Sequence, residues 1–174
     1  MNGFGSSIWN MKTAISNKKT ILNITPRTWV RVTQRDKIFF RIPRDKLRPP
    51  GLKRLLRIES YNDYKLNLAS EASKQHFILP EIGAGIIFFI PVPKSWSNKK
   101  KKQYHGTFHQ SRPDLKNLLS AFEDSLMKED KQIAFYSHLG KRWVNQDAGW
   151  IEITMCNPKK LYLPPPGEED DRLL

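Results

Sequence analysis

The chain has 174 residues, the size of one ordinary domain, and 39% of them are hydrophobic and 11% aromatic, enough for a packed core, so disorder of the whole chain is excluded. Lys and Arg number 30 against 17 Asp and Glu, a formal charge of +13 that calls for a polyanionic partner, nucleic acid before an anionic membrane surface or an acidic protein. A single cysteine, Cys156, excludes a disulfide framework within the chain and a multi-cysteine zinc site.

Taken in chain order, residues 1–24 mix Gly, Ser, Asn and Lys with scattered apolar residues and read as a loosely ordered arm. Residues 28–33 and 38–42 read as two short strands, with residues 34–37 as the turn between them. Pro49-Pro50-Gly51 then punctuates the chain. From Leu52 onward Leu55, Leu56, Tyr61, Tyr64, Leu68 and Ala72 recur at helical spacing, which predicts an amphipathic helix of about six turns ending before Pro80. Basic Lys53, Arg54 and Arg57 lie between those apolar positions. Residues 85–92 are apolar on both pleat faces and are stopped by Pro91 and Pro93, the pattern of a buried central strand. The longest apolar run, residues 82–92, is about half the length of a bilayer-spanning helix, so the expectation is a cytoplasmic protein without membrane association.

Residues 94–110 are polar and lysine-dense and read as a loop. Leu118, Leu119, Phe122 and Leu126 give a second helix over residues 117–127 with one apolar face. Residues 133–136 and 150–155 read as strands, joined through Lys141-Arg142-Trp143. Such an order predicts an α/β (α+β) fold in which a mixed sheet is packed by two helices, with residues 25–162 as the domain. Residues 163–174 form a Pro-rich tail with four acids and one Arg, so the body is more basic than the chain as a whole.

Chemistry is concentrated between residues 94 and 130. Gly83-Ala84-Gly85 precedes a strand and is not followed by a helix, so it is no phosphate-binding fingerprint. His76, His105, His109 and His138 show no metal-ligand spacing. Lys99, Lys100, Lys101 and Lys102 repel one another until phosphates neutralise them, and neighbouring Lys94 and Trp96 offer a further cation and a ring on which a base could stack. The competing interpretation is a solvated charge run beside a packed tryptophan. Asp114 stands at the entry to the second helix, where it could serve only as an N-terminal cap, and Glu129-Asp130 follow its exit. In so basic a chain such carboxylates also suit Mg²⁺ held against a phosphodiester.

The chain resembles the RusA-like crossover-junction endodeoxyribonucleases over roughly residues 85–155. The resemblance rests on Phe88-Phe89-Ile90-Pro91-Val92-Pro93-Lys94-Ser95-Trp96, on His109 before Arg112-Pro113-Asp114-Leu115, and on Asn117-Leu118 and Asp124-Ser125-Leu126. It continues through Asp130 and Ile133, Lys141-Arg142-Trp143-Val144 and Gly149-Trp150-Ile151-Glu152-Ile153. It implies a homodimeric nuclease, of a kind found in phages and prophages, that uses Mg²⁺, with Mn²⁺ as a substitute, to cut branched double-stranded DNA at four-way (Holliday) junctions. Asp114 and Asp130 then match catalytic, metal-binding aspartates. Lys116 stands where the family has a further aspartate, and Ser120 where it usually has a catalytic lysine. Lys116 is accordingly expected to stabilise charge in the transition state, with Glu123, Glu129 or the phosphate completing the metal shell. Arg54, Arg57, His109 and Arg112, together with Lys94, Trp96 and the four lysines, are expected to contact DNA. The alternative is a non-catalytic junction-binding accessory protein on the same fold, and a third reading is a basic RNA-binding domain.

Overall fold

The computed structural model describes residues 19–127 and 133–155. Its elements are β1 (Lys19–Leu22), α1 (Asp36–Phe39), a 3-10 turn (Arg44–Lys46), α2 (Pro49–Lys74), β2 (Ile82–Pro91), α3 (Asn98–Tyr104), α4 (Leu115–Leu126), β3 (Phe135–Val144) and β4 (Trp150–Met155). The strands form one sheet in the order β1-β4-β2-β3. β2 runs parallel to β3, while β4 is antiparallel to both β1 and β2. Parallel neighbours need a crossover, and α3 with α4 supplies it. The result is the mixed sheet and α+β class that the sequence predicts.

Strand alternation decides which face is covered. Ala84, Ile86 and Phe88 of β2, with Ile151 and Ile153 of β4, point to one face and are fully buried. Against them α2 lays Leu55, Ile58, Tyr61, Tyr64, Leu68 and Ala72, and α4 lays Leu118, Ala121 and Phe122. Phe88 and Phe122 meet edge to face at 6.1 Å, the favoured geometry for two ring quadrupoles, and so seat α4 directly on the central strand. Asp124 then ties three segments together, accepting from the Tyr61 hydroxyl of α2 at 3.1 Å and from the Trp29 indole N–H at 2.7 Å. No helix among the described residues is long and apolar enough to cross a membrane.

α2, α4, β2 and β4 occupy the predicted places, and α2 opens with proline in its first turn, where the missing N–H costs nothing. Other predicted elements are corrected. Residues 28–33 form no strand among the described residues; they make a strap across α2 and α4, where the Trp29 N–H donates to the Asn117 carbonyl at 2.9 Å. Residues 38–42 are not a strand either. The Asp36 carboxylate accepts the Thr33 N–H at 2.7 Å and a two-pronged pair of bonds from the Arg54 guanidinium, and this curls the chain into the single turn of α1. A local side-chain bond of this kind overrides the β-branched and aromatic composition that suggested a strand. Residues 19–22, read as part of the arm, are the edge strand β1. Residues 98–104, read as loop, are α3, capped where Ser97 accepts the Lys100 N–H. β3 extends through Lys141-Arg142-Trp143 because the strand continues where a connection was expected. The rest of the expected arm, Cys156 and the acidic tail lie outside the described residues.

Candidate active site

The site is built where three pieces of chain converge on the inner side of β3. After α3, residues 106–109 run beside β3 as a short extra edge. The Gly106 N–H bonds the Trp143 carbonyl at 2.9 Å, the Trp143 N–H bonds Thr107, and the His109 N–H bonds the Lys141 carbonyl at 3.0 Å. The chain then passes through Ser111 and a cis Arg112-Pro113 peptide to Asp114, which opens α4. In β3, Leu139, Lys141 and Trp143 share the register of Ile86, Phe88 and Ile90, so all three face the helices. A lysine in that row is out of keeping with its apolar neighbours. Its ammonium reaches across and donates to the carbonyls of Ser111 and Pro113, clamping the turn that delivers Asp114.

Asp114 has the extended backbone of an N-cap, yet its side chain makes no capping hydrogen bond and the residue is exposed. The capping role it could have filled is therefore not the one it performs here. The carboxylate is left to face solvent beside the Lys141 amine. Partial burial draws that amine below the ordinary lysine value, and the negative charge of Asp114 opposes the shift. Lys116, two residues further on, is exposed and projects from another side of the first turn, so Lys141 is the ammonium beside Asp114. Ser120 is half-buried on the second turn.

Behind this surface lies a stack of rings. His109 packs flat against Trp143 with centroids 3.7 Å apart, Trp143 meets Trp96 at 5.3 Å, and Trp96 meets Tyr104 at 5.0 Å. The Lys100 ammonium sits 4.1 Å over the Trp96 ring. Trp96, expected to stack on a base, is half-buried and packs against Tyr104 of α3. His109, expected at the DNA surface, is only 3% exposed, so its ring stands behind that surface and cannot meet a phosphate in this arrangement. Among the described residues neither of its ring nitrogens has a hydrogen-bond partner. Burial, and then the charge of Lys141, push its pKa below the usual histidine value.

The expected DNA contacts divide in the same way. Residues of a helix turn by about 100° each, so four successive lysines cannot share one face. Lys99 and Lys102 are exposed, Lys100 covers Trp96, and half-buried Lys101 lines a cleft of about 260 Å³ with Lys94, Asn145 and Asp147. Arg112 and Arg57 are exposed. Arg54 is committed to Asp36 and to the Arg31 carbonyl, bracing α1 on α2. Arg54 and the Thr33 N–H hold the Asp36 carboxyl well below the usual range.

Glu123, considered for the metal shell, accepts from the Tyr136 hydroxyl at 2.7 Å, nine residues beyond Asp114 and so about 13 Å along the helix axis, outside the reach of that site. Asp130 and Glu129 lie outside the described residues. Among the described residues no three His, Cys, Asp or Glu side chains come together as a metal site. The residue that sequence reading passed over is Lys141, although its signal was present as a cation at an inward strand position between Leu139 and Trp143.

A protein-family model described as Endodeoxyribonuclease RusA matches residues 43–155, close to two thirds of the chain. No curated protein matches the chain.

Two outcomes follow from the geometry. Because the folded state lowers the His109 pKa, the unfolded chain takes up that proton first as pH falls. Stability conferred by neutral His109 is then lost on acidification through the ordinary value of about 6.5 and below. Urea unfolding from pH 7.5 to 5 should show this loss, and His109→Phe, which keeps a ring against Trp143, should flatten it. Lys141→Met removes two charge-assisted bonds and should cost about 1–3 kcal/mol in the same assay, with Lys141→Arg recovering part of it.

Proposed function

The chain belongs to the RusA endodeoxyribonuclease family, and on that footing we propose that it binds four-way DNA junctions and hydrolyses a phosphodiester bond in them with the aid of a divalent metal. The observation that supports this most is Asp114, held at the start of α4 by the Lys141 clamp, with its carboxylate exposed and excused from capping. It stands at the position matching the family's first catalytic aspartate.

In such a hydrolysis a water oxygen forms the new bond to phosphorus as the bond to the leaving sugar oxygen breaks. The Asp114 carboxylate is placed to orient that water and accept its proton. Negative charge builds on the non-bridging phosphate oxygens. An ammonium has three N–H donors, and Lys141 spends two on Ser111 and Pro113, so a third remains to meet that charge, with Lys116 supplying a second, more mobile cation. Lys94, Lys99, Lys102, Arg57 and Arg112 hold the DNA backbone from outside.

Mg²⁺, with Mn²⁺ as a substitute, is the expected cofactor, because nucleases of this family generally depend on a divalent metal. A divalent ion of this class takes several oxygen ligands. Among the described residues no three metal-ligating side chains gather at Asp114, its neighbour is the Lys141 ammonium, and the carbonyls of Ser111 and Pro113 are held by that ammonium. The described residues do not fit the ion by themselves; Asp130 would have to join them. A homodimer, in which a two-fold axis brings helix ends of two copies together, completes the proposal, and its closed symmetry suits a junction that receives two cuts. Its place is the cytoplasm.

One observation favours a second reading. Among the described residues Asp114 gathers no further metal-ligating side chains and has the Lys141 ammonium beside it, which suits phosphate binding better than metal binding, as in an accessory protein that binds junctions without cutting them. A synthetic four-way junction incubated with Mg²⁺ or Mn²⁺ separates the two. The nuclease reading expects cleavage by the parent and a loss of about 100-fold or more in Asp114→Asn. An inactive parent together with a Lys116→Asp variant that cuts would establish the accessory reading in its place.

A further inference from the structure

A second concentration of positive charge lies in a part of the chain that the family match only begins to cover. Residues 27–48 carry eight Lys and Arg against two Asp, and residues 25–42 precede the matched region altogether. The structure spends one of those acids internally, since Asp36 is buried under Arg54. Arg44 is paired with Glu59 and Arg27 with Ser60. Arg31, Arg35, Lys37, Arg41, Lys46 and Arg48 are all exposed and, among the described residues, join no ion pair. Six like charges on so short a stretch repel one another, and a row of phosphates relieves that repulsion by displacing condensed counterions. Four of the six are Arg, whose planar fork matches phosphate oxygens in pairs.

Position identifies the kind of polyanion. The strap that leads into this segment is bonded through Trp29 to the Asn117 carbonyl, in the first turn of α4, three residues after Asp114. Positive charge therefore runs without interruption of the chain from beside the candidate site, around α1 to the start of α2. We propose that residues 31–48 form a second DNA-backbone surface, which grips a duplex arm of the junction away from the phosphate presented to Asp114. This rests on the junction-binding reading above and extends it to a segment outside most of the family domain. Ile38 and Phe40, 54% and 51% exposed between the cations, would lie against the sugar edges of that arm.

The test compares the full chain with a variant carrying Arg31→Ala, Arg35→Ala, Lys37→Ala and Arg41→Ala, in binding to a synthetic four-way junction at several salt concentrations. Each phosphate contact on duplex DNA contributes about 0.9 to the slope of log affinity against log salt, so the variant should lose roughly 3–4 from the slope and at least about tenfold in affinity at low salt. All four side chains are exposed, so its thermal melt should match that of the parent. If it does not, the pair Arg35→Ala and Arg41→Ala should still lose about half as much slope. Unchanged affinity and slope would overturn the proposal, and loss of binding to phosphatidylserine vesicles alone would assign the segment to an anionic membrane surface. A parent that binds no junction would overturn the junction reading itself, and this inference with it.

Discussion

The ammonium of Lys141 fixes where the site can be. A strand and a helix that cross at a sheet edge leave the connecting turn free to settle in many ways, and here one side chain removes that freedom by bonding two successive stretches of the turn, at Ser111 and Pro113. The same strand residue accepts the His109 N–H through its backbone, so one position in β3 holds the approach to α4 from both sides. Phe122 seats the body of the helix on Phe88 of the central strand. Between them these contacts set the depth and the starting point of α4, and Asp114 is exposed at the start because the rest of the helix has nowhere else to go.

A lysine in that role is costly to bury and is affordable only because its charge is answered. Two carbonyls and the nearby carboxylate of Asp114 compensate the amine, while burial works against it. His109 answers the same electrostatics from the other side. Burial against Trp143, and then the charge of Lys141, disfavour its protonated form. The aromatic stack thus stands between the lysines of α3 and the site, and Lys141 is the cation that shapes the turn into α4.

Much of this was legible in the residues. The helical spacing of Leu55, Tyr61, Tyr64, Leu68 and Ala72 and the run of residues 85–92 reported faces that the core requires, so both elements and the mixed sheet followed from hydrophobic pattern alone. What misled the reading was decided by single polar bonds. Asp36 took Arg54 and Thr33, and so turned a strand-like segment into α1 and made Arg54 its brace. Lys100 found the face of Trp96, and so a lysine run became a helix and a stacking ring became a packing anchor. Lys141 was overlooked because its partners are main-chain carbonyls, which no side-chain motif announces. The resemblance supplied the family and Asp114; the exposure of that carboxylate, and the ammonium beside it, came from the structure.

The central claim is that this arrangement recognises the branch in DNA and not merely its charge. The most direct measurement is competition for the protein between a labelled four-way junction and an unlabelled linear duplex of the same total length, at about physiological salt, where non-specific phosphate contacts are weakened. The account predicts that the junction survives a large excess of duplex, with an affinity at least about tenfold higher. Equal displacement by junction and duplex would contradict it and leave a basic protein that binds any polyanion.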